Sequence, residues 1–147
     1  MDKKTVSLKD IYPVMEEKLK NGGTVELPIT GTSMNPLLYM GRDTVLIKKD
    51  SEYKIGDIIF YRRDDGHFVL HRIIGENNDG FILCGDNQII KEYGITPKHI
   101  IAKVILINRN GKEITPQNKK YNKYKAFWLH NLPIRRYVLF IVRRLAK

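Results

Sequence analysis

The chain has 147 residues, 42% hydrophobic and 29% charged, with a single cysteine and a formal net charge of +10. That length fits one domain with one core, and the composition excludes both a disordered chain and a wholly membranous one. Cys84 alone excludes an internal disulfide framework, the four histidines show no metal-ligand spacing, and no cofactor is expected.

The charge is unevenly placed. From Lys119 to the end there are nine Lys or Arg and no Asp or Glu, so residues 1–118 carry only +1. An acidic partner would therefore meet the last thirty or so residues. No apolar run approaches the roughly 20 residues that span a bilayer. The opening "MDKKTVSLKD" lacks the apolar core of a signal peptide.

In chain order, "SLKDIYPVMEEKLKNGG" reads as a short helix capped by Ser7, with Leu8, Ile11, Met15 and Leu19 on one face and Asn21-Gly22-Gly23 as its stop. Pro13 argues for a start near Tyr12. Six strands follow: Thr24–Ile29, Asp43–Lys49, "DIIFYRR" from Asp57, His67–Ile74, Gly80–Gly85 and Ile100–Asn108. "RRDDGH" reads as a hairpin turn with Asp65-Gly66 at its tip. The pattern predicts a mainly β body, either a folded sheet or a small barrel. The expected organisation is an N-terminal helix over 1–23, a β domain over 24–115 and a basic amphipathic tail over 116–147.

In that tail Pro133 is expected to separate a first turn or helix from a second one. On the second helix Ile134, Val138, Ile141, Val142 and Leu145 share a stripe, flanked by Arg135, Arg136, Arg143 and Arg144. Such a helix, with Trp128 and Tyr137 nearby, fits an anionic membrane surface; the competing reading packs it on the body with its arginines in solvent.

"ITGTSMNPLL" places Ser33 between a strand-like run and a proline. A serine hydroxyl becomes a nucleophile only when a base takes its proton, and a third group usually orients that base. Among the lysines only Lys103 lies inside an apolar strand. In "HFVLHRII", alternation puts Val69, His71 and Ile73 on one face, and an interior position there would keep the imidazole neutral, as a general base requires. His67 is expected at the wet turn, with His99 and His130 in a turn and the tail. Asp86 in "CGDNQ" and Glu92 in "IIKEYG" are the carboxylate candidates; Asp57 reads as a turn residue.

These residues resemble a known pattern. "GTSMNPLL" resembles the nucleophile box of the type I signal peptidases and of the related self-cleaving repressors, the S24/S26-type serine peptidases. "KIGDIIFYRR", "VLHRIIG", "CGDNQ" and "HIIAKVILI" resemble four further elements of that family, in the same order. His71, where most bacterial members carry lysine, resembles the Ser-His branch of endoplasmic-reticulum, archaeal and sporulation-type enzymes. The resemblance implies Ser33 as nucleophile, His71 as general base and acid, and Asp86 as orienting carboxylate, with Glu92 as the alternative. Gly31 stands where some members carry an oxyanion-assisting hydroxyl, which leaves Thr30 and Thr32 as substitutes for the second donor.

The function expected on this basis is a serine endopeptidase that cleaves a peptide, preprotein or leader segment near a membrane surface. Its expected place is the inner face of the cytoplasmic membrane, where it is held through residues 119–147. Two alternatives compete with it: a repressor-like regulator and a catalytically silent peptide-binding module. His71 disfavours the regulator, as does the lack of a helix-turn-helix pattern in residues 1–23. Nucleic acid is likewise a poor match for a tail that alternates arginines with large apolar residues.

Overall fold

The computed structural model describes residues 7–130 and 134–145. Helix α1 spans Leu8–Lys20, with Ser7 as its cap: the Ser7 hydroxyl accepts from the Asp10 N–H at 3.3 Å. The helix starts at Leu8 and runs through Pro13. Pro13 has no N–H to offer the Lys9 carbonyl, but both residues are exposed, so water can take that carbonyl. Met15 and Leu19, four residues apart, are buried against the β body.

Eight strands make one antiparallel sheet: β1 (Thr24–Pro28), β2 (Asp43–Lys48), β3 (Ile58–Arg62), β4 (Phe68–Asn77), β5 (Gly80–Cys84), β6 (Glu92–Ile95), β7 (Ile100–Arg109) and β8 (Lys112–Ile114). Their order is β1-β2-β7-β3-β4-β5-β6, with β8 paired to β7; the sheet is folded and does not close into a barrel. The β3–β4 hairpin turns at Asp65-Gly66 as expected, with Gly66 at φ +92°. The β7–β8 hairpin turns at Asn110 (φ +52°) and Gly111 (φ +83°). Asn-Gly is the pair that tolerates two successive left-handed residues; β6 and β8 were not among the six strands expected.

β3 explains how the core is arranged. Ile58 and Phe60 join one apolar cluster together with α1, β1 and β2, while Ile59 and Tyr61 join a second with Ile73, Leu83, Ile95 and Ile100. Both faces of β3 are buried, so its sequence is a continuous apolar run rather than an alternation. His71 pairs in register with Ile59. Val69 and Ile73, its neighbours on the same face, belong to the second cluster.

Two helices follow the sheet, α2 (Lys119–His130) and α3 (Arg135–Leu145). Pro133, the expected separator, lies outside the described residues. On α2, Trp128 is buried and Tyr121 and Tyr124 pack against the first cluster. On α3 the expected stripe is divided. Arg135 and Leu139 are buried and Val138 and Val142 half-buried, whereas Ile134, Ile141 and Leu145 are exposed along with Phe140. The tail thus packs on the body and still presents an apolar surface. Among the described residues no helix is long and apolar enough to cross a membrane.

Candidate active site

Residues 29–42 link β1 to β2 and carry Ser33. Met34, Leu37 and Leu38 sink into the first cluster and anchor this loop, leaving Ser33 half-buried at its crest. Gly31, at φ +71°, supplies a left-handed turn that a side chain would strain. Arg109 of β7 anchors the far end of the loop through the Leu37 carbonyl at 2.6 Å, and Asn87 holds the part around Ser33. The Ser33 carbonyl accepts from the Asn87 N–H at 2.9 Å, and the Thr32 carbonyl accepts from Asn87 Nδ2 at 3.0 Å. Gly85 permits this approach, since a Cβ there would stand 2.5 Å from the Ser33 carbonyl oxygen. Among the described residues neither the Ser33 N–H nor its Oγ makes a hydrogen bond, and none joins Oγ to His71.

His71 is 4% exposed, inside the sheet on the expected face. Burial holds its imidazole down at about 4, with the Glu92 charge opposing that shift and Arg63 adding to it. Its Nδ1 lies 3.3 Å from the Tyr61 hydroxyl, which in turn donates to Glu92 Oε2 at 2.6 Å. Arg63 closes the series with a two-pronged pair to Glu92, at 2.9 and 3.0 Å. Burial raises the Tyr61 phenol well above its ordinary value, and its bond to Glu92 adds to the shift. Burial works against the Glu92 charge, but Arg63 and Tyr61 together hold its carboxyl below the ordinary value.

These contacts fix the tautomer. Tyr61 has one proton and gives it to the Glu92 carboxylate, so toward His71 it can only accept. Nδ1 therefore carries the imidazole hydrogen, and Nε2 keeps its lone pair.

Asp86 lies elsewhere. Both it and Arg72 have fully buried side chains, joined by two bonds at 2.9 and 3.0 Å. Tyr124 of α2 donates to Asp86 Oδ2 at 2.9 Å, and Arg72 also reaches the Gly56 carbonyl at 2.8 Å. No hydrogen bond connects Asp86 to His71 among the described residues. Of the other candidates, Lys103 is paired with Asp50 at 2.8 Å, His67 with Asp65 and His99 with Asp64. Asp57 accepts from the Lys54 N–H, as a turn residue should.

A cleft of about 520 Å3 opens beside His71, bounded by Glu92, Arg63, Asn87 and the exposed Ile89 and Ile90, with Arg143 of α3 at its edge. Ser33 does not line it; Asn87 does, and Asn87 holds the Ser33 loop. Arg135 of α3 is 1% exposed and donates to the Gly85 and Gln88 carbonyls at 3.3 and 3.4 Å. Among the described residues no group of three His, Cys, Asp or Glu could hold a metal ion.

A family model described as "Peptidase S24-like" matches residues 2–106. The chain belongs to the Peptidase S24-like family. No curated protein and no solved structure gives a significant match. Ser33, Tyr61, His71, Asp86 and Glu92 all lie inside the Peptidase S24-like match, whereas α2 and α3 lie outside it. The open folded sheet and the short N-terminal helix agree with membership of this peptidase family.

Two participants escaped the sequence reading. Tyr61 stood in an apolar run and looked like packing; its even spacing from Ile59 on the same face as His71 was the available signal. Arg135 looked like a solvated helix charge, and nothing local marked it for burial.

Proposed function

We propose that the chain is a serine endopeptidase of the signal peptidase type, which cleaves a peptide, preprotein or leader segment close to a membrane surface. The observation that carries the proposal is the Glu92–Tyr61–His71 series, which leaves a neutral imidazole with a free Nε2 at a cleft also lined by Asn87, the residue that holds the Ser33 loop. Ser33 Oγ attacks the scissile carbonyl and its proton passes to His71 Nε2. His71 then gives that proton to the departing amine and activates water to release the acyl group. Catalytic orientation falls to Glu92, acting through Tyr61, while Asp86 supports the site by neutralising Arg72. The unengaged Ser33 N–H serves as one oxyanion donor, with the hydroxyl of Thr30 or Thr32 as the second.

The exposed Phe140, Ile141 and Leu145, next to the basic residues of the tail, support contact with an anionic bilayer. The cytoplasmic face of the membrane is the location proposed for it. A second reading has one observation in its favour: Ser33 Oγ makes no hydrogen bond to His71, as in a silent peptide-binding module. One experiment separates the two. In a cleavage screen against a peptide library, Ser33→Ala and His71→Ala should each abolish turnover while the fold persists. Turnover retained by Ser33→Ala refutes the mechanism, and peptide binding without any cleavage by the native chain establishes the silent module.

A further inference from the structure

We propose that Arg143 on α3, acting through Asn87, is a positioning residue for Ser33. This rests on the reading of Ser33 as the nucleophile. Every hydrogen bond that Arg143 makes among the described residues goes to Asn87: Nε and Nη2 to the side-chain Oδ1 at 3.1 and 3.0 Å, and Nη2 to the backbone carbonyl at 2.7 Å. No carboxylate among the described residues shares them, so the guanidinium is spent there on the orientation of one residue rather than on an ion pair.

The orientation matters because an asparagine amide has two unlike ends. With Oδ1 committed to Arg143, Nδ2 is left to face the Thr32 carbonyl at 3.0 Å. A flipped amide would set two donors against each other at Arg143 and two acceptors against each other at Thr32. Arg143 therefore selects the rotamer that holds the loop.

Asn87 grips the two peptide units that flank Ser33. The Thr32 carbonyl belongs to the unit that carries the Ser33 N–H, and the Ser33 carbonyl belongs to the next one. With both planes fixed, the directions of the Ser33 N–H and of its Cα–Cβ bond are fixed together. The proposed oxyanion donor and the proposed nucleophile are thus aimed by one residue, which is steered by a helix outside the Peptidase S24-like match.

The test uses the full chain with three substitutions: Arg143→Ala, Arg143→Lys and Asn87→Asp. Hydrogen–deuterium exchange over residues 30–38 reads the linkage without any chemistry. Arg143→Ala should speed exchange there by about tenfold, as expected when a charge-assisted hydrogen bond is lost, with the rest of the sheet unchanged and the melting temperature nearly so. Labelling of Ser33 by an alkyl fluorophosphonate, which is too small to depend on the cleft, should slow by about the same factor. Arg143→Lys should recover part of both effects. Asn87→Asp keeps an acceptor for Arg143 but turns a carboxylate oxygen on the Thr32 carbonyl, so it should be at least as slow as Arg143→Ala. Native exchange in Arg143→Ala, or faster exchange throughout the chain, overturns the inference. Labelling that persists in Ser33→Ala overturns the nucleophile assignment instead and leaves the exchange result to judge the linkage alone.

Discussion

Glu92→Gln is the most informative substitution for the proposed mechanism. Glutamine keeps an oxygen that can accept from Tyr61, so the tautomer of His71 should survive and only the charge is removed. The carboxylate oxygen lies at most about 6 Å from His71 Nδ1, given the 2.6 and 3.3 Å bonds on either side of the Tyr61 oxygen. At that distance a unit charge stabilises the imidazolium by about 2.8 kcal/mol at an effective dielectric of 20, and by about 0.7 kcal/mol in water. Glu92 is partly exposed and shared with Arg63, which places the effect between these limits. The expected loss in kcat is therefore about 3- to 100-fold, centred near tenfold, with little change in KM. The sign of the pH dependence follows as well. Glu92 raises the pKa of His71, so its neutralisation should move the acid limb of kcat/KM below the native value of about 4. The assay is steady-state cleavage of the best library peptide between pH 3.5 and 8, with circular dichroism to confirm the fold. Unchanged kcat in Glu92→Gln, alongside a folded but inactive Asp86→Asn, would refute the Tyr61-mediated path and return the orienting role to Asp86.

Other outcomes can be checked in the same preparations. His71 titrates near 4 when folded and near 6.5 when unfolded, so the unfolded state binds more protons between those values and stability should fall as pH drops through that window. The loss is about 3 kcal/mol in urea unfolding, and His71→Gln should abolish it. Asp86→Asn leaves the fully buried Arg72 without its counter-charge and should cost about 3–5 kcal/mol; a loss below 1 kcal/mol would show that water reaches Arg72. Deleting residues 119–147 is a poor test of membrane contact, because it also removes buried Trp128 and the Tyr124 bond to Asp86. The double substitution Phe140→Ser/Ile141→Ser touches only exposed positions and should weaken binding to anionic vesicles by about tenfold or more. Native binding in that variant would remove the lipid-facing role of α3.

Local chemistry made much of this structure legible. The Asp65-Gly66 turn, the alternation that buried His71 and the cap at Ser7 each depend on residues within a few positions of one another. β6 was less visible, since it is four residues long at the sheet edge, contains Gly94 and ends just before Pro97. The site was legible as a set of motifs but not as a set of contacts. Asp86 and Glu92 were equivalent carboxylates in sequence. What separates them is which cation each meets, Arg72 inside the sheet or Arg63 at its rim, and that depends on strand pairings such as Arg72 with Cys84 and Leu83 with Glu92. α3 was read as one apolar stripe because periodicity cannot show that the body accepts Arg135 and Leu139 while leaving Ile141 outside.

The helices beyond residue 106 reach inward with Tyr124, Trp128 and Arg135. A minimal domain cut at the family boundary would strip the cover from the Arg72–Asp86 pair and leave two ionised groups facing water. Any shortened version made for crystallography or screening should therefore keep both helices, and changes to them should be treated as changes to the protein's interior.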